Sequence, residues 1–444
     1  MNIQLSDHFT YKKLLQFTLP SIGMMVFSSI YGVVDGFFVS NFVGEIPFKA
    51  VNLIMPFLMI LGAIGFMFGA GGSALVSKTL GEGKRDKANK LFSLFVYITI
   101  IIGVITAVLG IAFLEPVSYF LGARGQMLQE CVTYGTVILC ALPFFMLQIE
   151  FQSFMVVAEK PQLSLVFTII SGVANMVLDA LFIAVFNWGV IGAALATATS
   201  QVIGGVVPFI YLAGKNSSLL KLGRTYVDLR AIFQACGNGS SELMSNVSMS
   251  LVGMLYNTQL LKYAGEGGDG VAAYGVLMYV NFVFISTFIG FSVGIAPVFG
   301  YHFGAKNSSE LKGLLKKSLV IIGITSVAMF ALSELLATPM SMLFVGYNPQ
   351  LLELTKRAFL FYSFSFLFSG FAIFGSSFFT ALNNGPVSAI ISFLRTLVFQ
   401  VAAVLILPLI FNIDGIWLSI VFAEVMAVLV TFIFIFAKRK RYNY

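Results

Sequence analysis

Four polar side chains interrupt the apolar runs in the first half of the chain. Asp35 lies in "SIYGVVDGFFVS", and Thr197 lies in "GAALATATSQ". Asn175 and Asp179 are four residues apart in "SGVANMVLDALFIAVFNWG", so a helix would place them on one face. Carboxylate, amide and hydroxyl oxygens are hard ligands that suit a small hard cation or a shared proton. We therefore predict a cation- or proton-binding site at these residues, with Na⁺ as the candidate metal.

The elements that must position these residues are membrane-spanning helices. Hydrophobic residues form 58% of the 444-residue chain and charged residues only 10%, against about 25% in a soluble domain. The apolar runs are continuous and about 20 residues or longer, which is typical of transmembrane helices and not of barrel strands. We predict an all-α integral membrane protein with twelve transmembrane helices, near 14–42, 50–77, 91–114, 131–157, 163–186, 190–213, 231–261, 271–301, 314–338, 354–382, 388–411 and 415–437. The first run is too long for a signal peptide, so we expect it to be a span.

The basic residues predict the orientation of these helices. With a cytoplasmic N-terminus, 20 of the 26 Lys and Arg residues fall on the cytoplasmic side and five fall outside. This asymmetry predicts a multi-pass protein of the cell inner (plasma) membrane with both ends in the cytoplasm. The net charge of +7 then reflects topology, and we expect the basic loops to contact anionic membrane lipids and not nucleic acid.

The two halves of the chain resemble each other. "FQSFMVVAEKP" at 151–161 matches "SSFFTALNNGP" at 376–386, and the glycine-rich runs that begin at 65 and 290 match at a similar offset. Chance likeness between apolar segments would not keep Pro and Gly landmarks at one offset. We predict two six-helix bundles, 1–213 and 231–444, joined by a basic linker, 214–230. Because six is even, a pseudo-two-fold axis along the membrane normal should relate them across a central cavity.

The second half does not repeat the predicted site. By the match of Pro161 to Pro386, Gln400 and Val404 stand where the first half has Asn175 and Asp179. By the match of "FVG" at 42–44 to "YAG" at 263–265, Tyr256 stands where it has Asp35. Carboxylates that only helped a bundle to pack should be present in both halves. The asymmetry favours a functional site over a structural polar pair.

Other polar residues fall within predicted spans, where a charge costs about 2.5–3.5 kcal/mol on insertion scales. Glu242 could be a cavity carboxylate or a residue at a helix end, and the same alternatives apply to Glu150 and Glu424. Arg395 could be a gate, the structural partner of a carboxylate, or a side chain that reaches the membrane edge. We count these four residues and Tyr256 as possible cavity or gating residues.

No enzyme motif is evident in the sequence. "GAGGSALVSKT" is glycine-rich but lacks the order of a nucleotide-binding loop, so close helix packing is the simpler interpretation. The three cysteines and two histidines do not form a metal-ligand pattern. We expect no enzymatic activity and no cofactor, and we expect the energy source to be an ion gradient or a partner.

The motifs together resemble the multidrug and toxic compound extrusion (MATE) family over nearly the whole chain, and in particular its bacterial DinF-like and MepA-like branch. The segments that carry the resemblance are "FTLPSIGMMVFSSIYGVVDGFFVSNFVG", "AEKPQLS", "ANMVLDALFI", "GVIGAALATATS" and "GDGVAAYGV". The resemblance implies a V-shaped pair of bundles that alternates between outward-open and inward-open states. It also implies a cation site in the first bundle at Asp35, Asn175, Asp179 and Thr197.

These observations lead to one functional expectation and two rivals. We expect a secondary-active antiporter that exports lipophilic organic cations in exchange for Na⁺ or H⁺ and needs no obligatory protein partner. A flippase for lipid-linked oligosaccharides should line its cavity with several basic residues, whereas the spans of this chain offer only Arg395. A channel or a non-transporting membrane sensor is the rival from a different class.

Overall fold

The computed structural model describes residues 3–264 and 269–444, and these residues form twelve long helices. The helices α1 to α12 are Tyr11–Phe42, Glu45–Gly81, Arg85–Phe120, Gly125–Val157, Pro161–Val185, Gly189–Ala213, Leu229–Ala264, Asp269–Gly304, Ser308–Val345, Pro349–Ala381, Gly385–Phe411 and Ile413–Tyr442. The fold is the predicted one: two six-helix bundles in an all-α membrane protein, with no strand among the described residues. The stretch 214–228 between α6 and α7 contains no helix.

The helix boundaries follow local chemistry. Thr10 begins α1, where its hydroxyl accepts a hydrogen bond from the Lys13 backbone N–H at 3.3 Å, and Asn307 caps α9 in the same way. Pro161 stands at the first position of α5, where a missing N–H costs nothing. Several helices extend beyond the predicted apolar runs: α9 spans Ser308–Val345, against a predicted 314–338.

One helix departs from the expected hydropathy. Eleven of the twelve helices in the described part of the chain contain an apolar stretch long enough to cross a membrane, and α7 does not. Its residues 236–250 read "CGNGSSELMSNVSMS". The polar residues of this run lie partly against other helices: Asn238 donates a hydrogen bond to the Asn383 side chain at 2.7 Å, and Ser241 is fully buried. A helix is present at this position, as predicted, but it is less apolar than the predicted membrane span.

The two halves of the chain contact each other mainly through equivalent helices. α1 packs against α8, α2 packs against α7, and α2 also crosses α8. These contacts are tight where glycine faces a neighbouring backbone. A Cβ atom on Gly290 would lie 2.6 Å from the Ile22 Cα atom, and one on Gly239 would overlap the Met67 carbonyl of α2.

The closest of these contacts fall toward one end of the molecule. We call this end the basic face: it carries both chain ends, the segment 214–228 and the turns that follow α2, α4, α8 and α10. Gly71, Gly81, Gly239 and Gly304 all lie in the halves of their helices that approach this face. The two halves of the chain are therefore packed together at the basic face.

Candidate functional site

Helices α1, α5 and α6 bring the four predicted site residues together. The side chains of Asp179, Thr197 and Asn175 surround the Asp35 carboxyl at near hydrogen-bonding distance. None of these contacts is a hydrogen bond of good geometry, and Asp179 has both carboxylate oxygens unpartnered among the described residues. The predicted set of residues thus converges in one place within the first half of the chain.

The close approach of α1 and α5 depends on a small residue. A Cβ atom on Gly172 would lie 2.6 Å from the Phe27 ring and 2.7 Å from the Tyr31 ring. Asp35 is one helical turn beyond Tyr31, and Asn175 is nearly one turn beyond Gly172. The glycine lets the two helices pack closely, and the polar residues meet at the next turn.

Asp179 is fully buried and Asn175 is 2% exposed. No basic side chain forms a salt bridge with Asp35 or Asp179 in the described part of the chain. Two carboxylates in a buried site cannot both remain ionised without a cation or a proton to offset their charge. The arrangement can therefore hold a small cation or share a proton.

A π-helical segment follows Asp179 directly. Residues Ala180–Val185 leave the α-helical hydrogen-bonding pattern, and Phe186 donates its N–H to the Leu181 carbonyl at 2.8 Å. Trp188 stacks on Phe182 with ring centroids 4.9 Å apart, which packs this end of α5. Single π-turns frequently occur at functional sites, where they change the direction of side chains.

A cavity lies beside the site. It is a small pocket bounded by α2, α4 and α6. Its lining residues are Met55, Leu58, Met59, Tyr134, Ile138, Leu142, Phe145, Thr197 and Gln201. Thr197 thus belongs both to the cluster around Asp35 and to the cavity wall, so the two are adjacent.

In the second half, Arg395 and Glu424 form a buried ion pair. Arg395 Nε lies 3.0 and 2.9 Å from the two Glu424 carboxylate oxygens, and Nη2 lies 2.8 Å from Oε1. Glu424 is 1% exposed. Glu242 on α7 is half-buried and lies within the electrostatic influence of Arg395. Of the alternatives for Arg395, this geometry favours the structural partner of a carboxylate.

The second-half positions that correspond to the site residues of the first half have mainly apolar surroundings. Val404 is fully buried in a hydrophobic cluster that also contains Tyr256 and Trp417. The Tyr256 ring is parallel to the Tyr274 ring, with centroids 5.3 Å apart. The second half therefore has no pair of facing carboxylates at these positions, as the sequence predicts.

Comparison with known proteins identifies the family. The MatE family pattern matches residues 20–181 and 242–406, which together are most of the chain. The chain belongs to the MatE family. Multidrug export protein MepA of Staphylococcus saprophyticus is 26% identical over 97% of this chain and 94% of its own length. The same-named protein of Staphylococcus haemolyticus is 25% identical over the same shares.

Solved MATE structures share the fold. An outward-facing multidrug resistance MATE family transporter of the MOP superfamily has a TM-score of 0.93 at 22% identity, covering 100% of this chain and 98% of its own. A MATE crystal structure in complex with MaL6 also has a TM-score of 0.93, at 21% identity and 98% coverage of both chains. The family and the fold are thus those that the sequence motifs indicated.

Glu150 of this MatE family chain lies apart from the cluster around Asp35. It is fully buried on α4, and its neighbour is the Thr99 hydroxyl of α3. Neither Glu150 oxygen has a hydrogen-bond partner among the described residues. Its role as a cavity or gating residue stays a prediction, as do those of Glu242, Tyr256, Arg395 and Glu424.

Sequence reasoning missed two tyrosines at the site. Tyr31 of α1 lies near Asp35 and is flanked by Ser28 and Gln148. Tyr134 of α4 is 1% exposed, lines the cavity and lies within the influence of both Asp35 and Asp179. A buried tyrosine usually needs a hydrogen-bond partner for its hydroxyl group. A tyrosine within a predicted span was therefore the signal by which these residues could have been found.

Proposed function

We propose that the protein is a secondary-active antiporter that exports lipophilic organic cations in exchange for Na⁺ or H⁺ by alternating access. The observation that carries this proposal is the pairing of the half-buried Asp35 with the fully buried Asp179, without a basic partner in the described part of the chain. Such a pair requires a transferable positive charge, and Asn175 and Thr197 add neutral oxygens that suit Na⁺. The names of the MepA relatives support drugs as the exported compounds.

The side chains that line the cavity beside the site are of types that suit this class of substrate. Tyr134 and Phe145 offer aromatic faces, which attract organic cations, and Met55 and Met59 offer flexible apolar surface. Coupling follows if the ion and the drug favour opposite states of the two bundles. The packing at the basic face, together with the likeness to an outward-facing transporter, supports assignment of the present state as outward-facing. We also propose that the basic face is cytoplasmic, in accord with the positive-inside rule.

Transport into or out of liposomes tests the proposal. Purified protein is reconstituted, a fluorescent lipophilic cation is added, and Na⁺ and pH gradients are imposed separately. Under one of the two gradients, we expect the drug to move in the direction opposite to the flow of the coupling ion. Without a gradient, we expect no drug movement. Absence of drug movement under both gradients would favour a channel or a membrane sensor.

The flippase alternative has less support. A pyrophosphate-bearing lipid needs several free basic side chains in the cavity, and Arg395 is already neutralised by Glu424. Movement of a fluorescent lipid-linked oligosaccharide in the same liposomes, with no movement of organic cations, would reverse this preference.

A further inference from the structure

The segment that precedes α1, residues 3–10, is inserted between the two halves at the basic face. Leu5 and Phe9 are fully buried in one hydrophobic cluster. That cluster includes Val156 at the end of α4 and, from the second half, Phe299 and Leu314. A short segment thus buries apolar side chains against both halves, which stabilises their association.

The first polar anchor of this segment belongs to the first half. The Leu5 N–H donates a hydrogen bond to Glu159 Oε1 at 2.7 Å. Glu159 lies in the turn between α4 and α5, and its backbone is in the left-handed region, with φ of 61°. In the corresponding turn of the second half, the residue in the left-handed region is Asn383, with φ of 56°. Asparagine adopts this conformation more readily than glutamate. The backbone conformation therefore does not explain the glutamate at this position, whereas the hydrogen bond that its side chain accepts from Leu5 does.

The second polar anchor belongs to the second half. Glu310, in the first turn of α9, accepts hydrogen bonds from the Phe9 N–H at 2.9 Å and contacts His8 Nδ1 at 2.7 Å. Lys317, two turns further along α9, donates to the Phe9 carbonyl. Glu310 is 7% exposed, so loss of these partners would leave a buried carboxylate unsatisfied.

We propose that residues 3–10 are a latch that holds the two halves together at the basic face and must release Glu159 or Glu310 before that face opens. If the halves separate at this face, the turn after α4 moves away from α9, and one segment cannot remain bound to both. The latch therefore sets part of the free-energy difference between the two states. This inference rests on the alternating access proposed above.

Distance measurements between two spin labels test the latch. The labels are placed at Lys87→Cys on α3 and Lys312→Cys on α9, both exposed at the basic face, after Cys131, Cys140 and Cys236 are replaced. Glu159→Ala and Glu310→Ala are each compared with the labelled parent in liposomes. We expect each variant to increase the ratio of long to short distances at least about fivefold, because each removes charged hydrogen-bond acceptors.

Two further variants separate the latch from general damage. Glu82→Ala removes another carboxylate of the basic face. Glu82 contacts Lys84 at 2.8 Å and not residues 3–10, so this variant should leave the distances unchanged. His8→Ala removes a side chain that is 72% exposed, so it tests one anchor without disturbing the packing; we expect a smaller shift in the same direction. Distances equal to those of the parent in Glu159→Ala, Glu310→Ala and His8→Ala would overturn the latch. Absence of drug transport by the parent would instead overturn the antiport proposal. The comparison of spin-label distances would still show whether the latch exists.

Discussion

Gly81 of α2 and Gly304 of α8 face each other across the basic face as equivalents in the internal repeat. A Cβ atom on Gly81 would overlap the Tyr301 carbonyl oxygen, and one on Gly304 would overlap the Lys78 carbonyl oxygen. Tyr301 and Lys78 are themselves equivalent at the same offset. The pseudo-two-fold axis thus passes through a helix crossing that only glycine permits on either side.

Gly81→Ala and Gly304→Ala should each push α2 and α8 apart at the basic face. We expect each variant to lower the melting temperature of the purified protein by several degrees, although alanine favours helix by up to about 1 kcal/mol over glycine. Gly275→Ala on α8 is the matched control, because nothing lies within 4 Å of its added Cβ. Equal melting temperatures for Gly304→Ala and Gly275→Ala would show that the crossing tolerates a side chain.

Asp35→Asn should abolish coupled export and leave the fold intact. The amide keeps the size of the side chain but removes the charge that would bind a cation or exchange a proton. Drug resistance of cells that express the variant at the parental level measures the effect. Parental resistance would mean that Asp35 has no part in coupling.

Asp179→Ala should remove ion binding, whereas Gln400→Ala should leave it nearly unchanged. The first residue is a buried carboxylate beside Asp35, and the second is the neutral counterpart of Asn175 in the other half. Isothermal titration with Na⁺, or measurement of proton release, distinguishes the two variants. Similar losses in both would place the site elsewhere.

The Arg395–Glu424 pair should behave as a structural unit. Arg395→Ala leaves the Glu424 carboxylate buried and unpaired, which should destabilise the protein by about 3–5 kcal/mol. The double variant Arg395→Met and Glu424→Met should recover most of that loss, since it leaves no buried charge. Thermal unfolding in detergent measures both. A double variant no more stable than the single one would argue against a purely structural pair.

Glu159 should make stability depend on pH. Partial burial raises the pKa of the Glu159 carboxyl above its ordinary value, while the Leu5 N–H, Lys160 and Arg85 act in the opposite direction and Asp7 adds to the increase. A carboxyl with a raised pKa binds its proton more tightly in the folded state, so its contribution is present at low pH and is lost as the pH rises through that pKa.

Glu159→Gln cannot titrate and supplies the comparison. The difference in melting temperature between the variant and the parent should grow in favour of the variant as the pH rises from 4 to 8. Glu82→Gln serves as the exposed control and should show a smaller change. A constant difference across this range would mean that the Glu159 carboxyl titrates normally.

The sequence predicted the helices and the cluster around Asp35 because both depend on patterns that a single chain displays. Apolar length indicates a span, and a carboxylate inside a span indicates a site. The π-helical turn after Asp179 was not predictable, since one extra residue in a helical turn leaves no compositional trace. The contact between Leu5 and Glu159 was also missed, because it joins distant parts of the chain through a backbone N–H that every residue type has.

The polar character of α7 has a consequence for how the chain is made. A helix with so many Ser and Asn residues gains little by entering lipid alone, and its polar groups find partners on α10 and α11 of the same half and close packing against α2 of the other. We therefore expect α7 to need help from neighbouring helices during insertion at the ribosome-bound translocon. The first six helices would then act as a template on which the second half of the newly synthesised protein assembles.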